Sequence, residues 1–176
     1  KLSYYFYFYI DERGEVAGVE DAFLMYHDLF GTGVNIYLGQ FQVCDPLFKR
    51  ELRLTLEDYH IYTVTPGNST ISLKYDRGIL AEYGLPTGTD LVAMVVNGNG
   101  IGEAGSDFLF DRDKYKNYFF KISQSVGDHI GLGFFGYFGK EELASTLDPV
   151  VNRSAFYGPD LTISLDEKFE FNLQYL

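Results

Sequence analysis

Apolar and polar residues alternate one for one over much of this chain, as they do in extended strands whose side chains point to opposite faces. The last stretch shows it most plainly: Phe169, Phe171, Leu173 and Tyr175 share one face, and Lys168, Glu170, Asn172 and Gln174 the other. The pattern predicts strands over 2–10, 19–29, 33–43, 69–77, 89–98, 117–127, 129–139, 155–165 and 168–176. Over 69–77, Ile71, Leu73 and Tyr75 oppose Ser72, Lys74 and Asp76, and over 117–127, Tyr118, Phe120 and Ile122 oppose Phe119, Lys121, Ser123 and Ser125. The seventh segment sets apolar residues against glycine, which would let the wall bend or another backbone approach closely. The apolar faces are rich in Phe, Tyr and Leu, whereas the facing residues are long, charged or amidic. That division suits a barrel wall with lipid outside and water inside better than it suits a small core. Lys74, Lys121, Glu170, Asn172 and Gln174 are accordingly expected to face a wet lumen.

The connections support the same architecture. Val126–His129 and Leu165–Lys168 read as tight hairpins, whereas Asn97–Lys116 and Gly139–Arg153 read as long polar loops. Short turns at one rim and long loops at the other are typical of outer-membrane barrels. Neither helical heptads, nor an internal repeat, nor a domain linker is visible. The five prolines fall in or beside the expected connections, although Pro159 would need an edge, a bulge or a strand start. The expected fold is all-β: an antiparallel, up-and-down transmembrane β-barrel, read as one domain over 1–176 or as a partial barrel segment. Both ends lie inside strand pattern, and in a partial barrel segment 2–10 and 168–176 are not expected to pair with each other.

Composition sharpens the picture. Aromatic residues make up 18% of the chain, 15 Tyr and 16 Phe with no Trp. Tyr suits a membrane–water interface, where its ring is buried and its hydroxyl stays wet. The mean hydropathy of −0.09 excludes a helical membrane bundle but not a barrel, in which alternate residues are polar. A formal charge of −11 argues against nucleic acid as a partner, because such a binder carries a basic stripe. Cys44 is the only cysteine, so no internal disulfide can form.

Residues 20–43 carry a resemblance to a known family. Glu20–Tyr26, a turn at Phe30–Gly33, and Val34–Gln42 ending in Gly-Gln-Phe-Gln resemble the phosphate-selective porins. Val96-Asn-Gly98 before a loop holding Asp111 and Lys114, and Asp160–Ile163 before Phe169–Tyr175, resemble later parts of that family in the same order. The resemblance implies an outer-membrane location in a Gram-negative-type bacterium, contact with lipid, passive passage of small hydrophilic solutes or ions, and a possible homo-oligomer. The residues themselves imply no catalysis and no cofactor. Members of the family are larger, with about 16–18 strands, which fits a partial barrel. Their basic pore-lining ladders have no counterpart in this acidic chain, so phosphate is not carried over as the solute.

The segment richest in chemistry follows Cys44. Lys49, Arg50 and Arg53, set against Glu51, leave a local charge of +2. Facing Glu57 and Asp58, they would form a pore constriction with a transverse field that sorts ions. The same residues also read as a solvated β-hairpin over Leu52, Leu54, Ile61 and Tyr62. His27, His60 and His129 are dispersed, with no metal-ligand spacing, and Cys44 has no local base to activate it. Two other architectures fit the alternation: a soluble, lipocalin-like barrel with its aromatic faces around an apolar ligand, and a complete eight-stranded membrane anchor with a filled interior.

Overall fold

The computed structural model describes residues 1–10, 12–13, 16–43, 69, 71–102, 110–111, 113–143, 148–165 and 169–175. Nine strands run in chain order: β1 Leu2–Ile10, β2 Val16–Tyr26, β3 Val34–Gln42, β4 Tyr75–Gly84, β5 Thr89–Val96, β6 Asn117–Val126, β7 Ile130–Leu143, β8 Val150–Leu165 and β9 Phe169–Gln174. Each is hydrogen-bonded antiparallel to the next, giving one up-and-down sheet. The sheet is open: β1 and β9 are not neighbours among the described residues. The only helical turn described is the 3-10 turn Leu29–Gly31, and no described helix is long and apolar enough to cross a membrane.

At one end of the sheet the connections are 27–33, 85–88, 127–129 and 166–168; at the other they are 11–15, 43–74, 97–116 and 144–149, so the two longest leave the same end. The 127–129 turn is tight because Gly127 adopts φ 62° while Val126 and Ile130 stay paired.

Several boundaries differ from those the alternation predicts. The fourth strand is β4, not 69–77. Ile71 and Leu73 are buried, so their period of two reports packing inside the molecule and not a strand in the wall. The loop expected over Gly139–Arg153 is shorter, because Lys140, Glu141, Glu142 and Leu143 pair in register with Arg153, Asn152, Val151 and Val150. Those residues are polar because they stand at a rim, not because they leave the sheet. Pro159 sits inside β8, opposite Phe134. Its carbonyl accepts from Tyr175 N just where β9 ends, so the N–H that proline lacks falls beyond the last β8–β9 pair, Asp160–Gln174.

One face of the sheet encloses a packed cluster. Phe41, Val43, Leu80, Met94, Val96, Phe119, Phe135 and Tyr137 pack with Ile71 and Leu73, and Phe23, Tyr37, Val92 and Phe156 adjoin them. Residues directly opposite across antiparallel strands share a face. The row Tyr37, Leu80, Met94, Phe119, Tyr137 and Phe156 therefore crosses six strands of the same, concave side.

Candidate functional site

The convex face is apolar across the whole sheet. Leu38, Ile79, Val95, Tyr118, Phe138 and Ala155 form one transverse row, and Tyr83, Leu91, Ile122, Phe134 and Pro159 another. Most of these side chains are exposed, as are Tyr4, Phe6 and Leu24 at the β1–β2 end. On β9, Phe169, Phe171 and Leu173 are 55%, 46% and 56% exposed and stand outside the core cluster. A contiguous apolar surface on this scale marks contact with something other than water.

The belt is filled and bounded by specific residues. Gly136 leaves room for the ring of Phe120, which lies over it and stacks on Phe138 at 6.2 Å; an added Cβ would meet that ring at 2.5 Å. Along β7 the belt runs from Ile130 to Phe138, roughly 27 Å of strand at about 3.4 Å per residue. At the tilt of roughly 40° usual in membrane barrels this spans about 20 Å. Beyond it, towards the long loops, the convex face turns polar at Gln40, Arg77, Lys140, Glu142 and Arg153. Arg77 donates to the carbonyls of Ile101 and Gly102 and lies 4.3 Å from the Phe110 ring, fastening the 97–116 connection to this rim.

The concave face is mixed. Near the long-loop end Ile71 presses on Gly139, where a Cβ would meet its Cδ1 at 2.8 Å. Ile71, which lies between β3 and β4, thus reaches across to β7. Beneath it Asn117 donates to the Tyr137 hydroxyl at 3.0 Å and accepts from Lys140 N at 2.8 Å. Asp76, fully buried, accepts from the backbone N–H groups of Arg77 at 2.7 Å and Gly98 at 2.6 Å. These donors replace part of the water that burial takes from the carboxyl group.

Towards the short turns the concave face becomes more polar. Lys121 on β6 and Asp160 on β8 form an ion pair at 3.2 Å, with side chains 7% and 12% exposed. Gly133 of β7 lies between their strands, and a side chain there would overlap the Asp160 carboxylate, so this glycine makes the pair possible. Asp160 Oδ2 is buried with no hydrogen-bond partner. Glu82 Oε1 accepts from Asn35 Nδ2 at 2.9 Å and from the Tyr37 hydroxyl at 2.6 Å. Across the last strand pair, Thr162 Oγ1 on β8 donates to Asn172 on β9, which in turn donates to Glu170 at 2.7 Å.

Of the residues expected from sequence to line a lumen, Lys121, Glu170, Asn172 and Gln174 lie on the concave face by register. Lys74 does not lie in a strand. It precedes β4, half-buried, and its carbonyl accepts from Val43 N at 2.8 Å, because the wall begins at Tyr75. Lys49, Arg50, Arg53, Glu57 and Asp58 lie outside the described residues. Sequence reasoning did not single out Asp160, Glu82 or Gly133. Asp160 and Glu82 are isolated acids beside apolar residues, and only cross-strand register brings them to Lys121, Asn35 and Tyr37. Among the described residues no cluster of His, Cys, Asp and Glu could hold a metal ion. Comparison with protein-family models, with curated proteins and with solved structures returned no match to this chain.

Proposed function

We propose that this chain forms the wall of an outer-membrane β-barrel that passes small hydrophilic solutes or ions, as the porins it resembles do. The carrying observation is the exposed apolar belt on the convex face, opposed by charged and amidic side chains on the concave one. Its height of about 20 Å approaches the roughly 25 Å lipid-facing band of such barrels. The two longest connections, 43–74 and 97–116, leave the same end of the sheet, which supports the same reading. The belt weighs against a lipocalin-like barrel, whose large aromatic residues would turn inward.

A second reading, a membrane anchor with a filled interior, draws support from the apolar packing of Ile71 and Leu73 against β6 and β7. Recording from planar bilayers after refolding from detergent separates the two. Discrete, salt-dependent conductance steps are expected of a channel. A protein that inserts, judged by protease protection of its strands, yet never conducts would overturn the channel reading and leave the anchor. A protein that stays monomeric and folded in water without detergent would overturn both.

A further inference from the structure

The strands divide their charges by sign. Of the four basic residues they contain, Arg77, Lys140 and Arg153 lie on the convex face near its long-loop rim. Only Lys121 lies on the concave face, where Asp160 neutralises it. Of the nine acidic residues in the strands, all but Glu20 and Glu142 fall on the concave face. Asp21, Asp76 and Glu141 are buried there, with partners of their own. Glu82, Asp90 and Glu170 are not: all three reach solvent and all three stand towards the short-turn end, on β4, β5 and β9. Their carboxylates are spread over the width of the sheet, and Asp160, with its second oxygen unpaired, lies in the same transverse row as Asp90. The described basic groups at that end are Lys1, at the rim of β1, and the neutralised Lys121.

We infer that Glu82, Asp90 and Glu170 make the short-turn mouth a cation-preferring vestibule, so that the permeating class is small cations and neutral solutes, not phosphate or other anions. This rests on the channel reading above. A low-dielectric wall carrying charge of one sign concentrates counter-ions before they enter, and rings of Asp and Glu are the usual means of cation selection. Three carboxylates about 10 Å from a permeant ion, screened over a Debye length of about 10 Å at 0.1 M salt, give roughly a fivefold preference for cation over anion.

The test is the reversal potential of the refolded protein in a planar bilayer under a KCl gradient. Wild type should favour K⁺ over Cl⁻ about fivefold, and the preference should shrink towards unity near 1 M salt as screening shortens. The triple variant Glu82→Gln, Asp90→Asn, Glu170→Gln should lose most of it at low salt. The pair Lys140→Gln and Arg153→Gln, on the convex rim, should leave it unchanged. Conductance with no ion preference, with anion preference, or with a preference the triple variant keeps would overturn the inference while sparing the channel. Because wild type alone reads the preference, a variant that fails to fold does not shield the idea. Insertion with no conductance would remove the channel reading, and this inference with it.

Discussion

Placing one charge at the middle of the convex belt gives the sharpest physical test of what that face touches. Phe134 lies midway between Ile130 and Phe138 on β7, is exposed, and stands directly opposite Ile122 and Pro159. Phe134→Arg would put a guanidinium about 10 Å from either border of the belt, too deep for its stem to carry it fully to water. In a bilayer that costs about 2–4 kcal/mol at the midplane, against about 0–1 kcal/mol near the interfaces. The folding equilibrium should therefore fall by a factor of roughly 30 to 700. The control is Glu142→Arg on the same strand and the same face, eight residues farther along and beyond the belt, which should cost less than about 1 kcal/mol. Phe134→Ala separates loss of the ring from gain of the charge. The assay is urea-dependent folding into phosphatidylcholine vesicles, followed by far-UV circular dichroism, since the chain has no Trp to report by fluorescence. If the face met water, the arginine would be an ordinary surface substitution, within about 0.5 kcal/mol of wild type. Equal stability of Phe134→Arg and Glu142→Arg would refute the reasoning.

Three further expectations concern the interior and the basic loop. Asp160→Asn leaves Lys121 buried without its counter-charge and should destabilise by about 3–5 kcal/mol, whereas Gly133→Ala, which crowds the same carboxylate, should cost about 1–3 kcal/mol; urea titration of both variants checks the order. Asn117→Ala strips a buried hydrogen-bond partner from the Tyr137 hydroxyl and should cost about 1–3 kcal/mol, an effect that Tyr137→Phe in the same background should largely relieve. Replacing Lys49, Arg50 and Arg53 together by Gln should shift reversal potentials further towards cations, most visibly at low salt; an unchanged potential would make these residues a solvated hairpin surface.

Much of this architecture could be read from the chain before any coordinates. A period of two over 117–127 and 168–176 identifies strands and says which residues share a face, because successive side chains in an extended backbone alternate by covalent geometry alone. The same rule misplaced the fourth strand. Ile71, Leu73 and Tyr75 obey the period as well as any wall strand does, yet Ile71 and Leu73 alternate to pack into the buried cluster, Ile71 against Gly139, and not to form sheet. Meanwhile Tyr75–Gly84, interrupted by Asp76, Arg77, Gly78 and Glu82, is a strand that periodicity alone passes over. Its charged and glycine positions make sense only beside their neighbours: Asp76 under the Gly98 amide, Arg77 over Phe110, Glu82 beside Asn35 and Tyr37.

Alternation cannot state which face of a strand is outside, since it is unchanged when the two faces are exchanged. Packing decided that, by burying the Leu80–Met94–Phe119–Tyr137 row and leaving Phe134, Phe138 and Phe171 bare. Nor can local pattern pair Lys121 with Asp160, thirty-nine residues along the chain. That contact depends on the register of three strands and on a glycine between them that has no side chain to stand in the way. Composition and periodicity determined that this protein is all-β, with strands whose two faces differ, because those are properties of single residues and their nearest neighbours. The buried row across the sheet, the packing of Ile71 against Gly139, and the placing of Glu82, Asp90 and Glu170 at one end of one face came from the tertiary structure, because each joins residues that only the fold brings together.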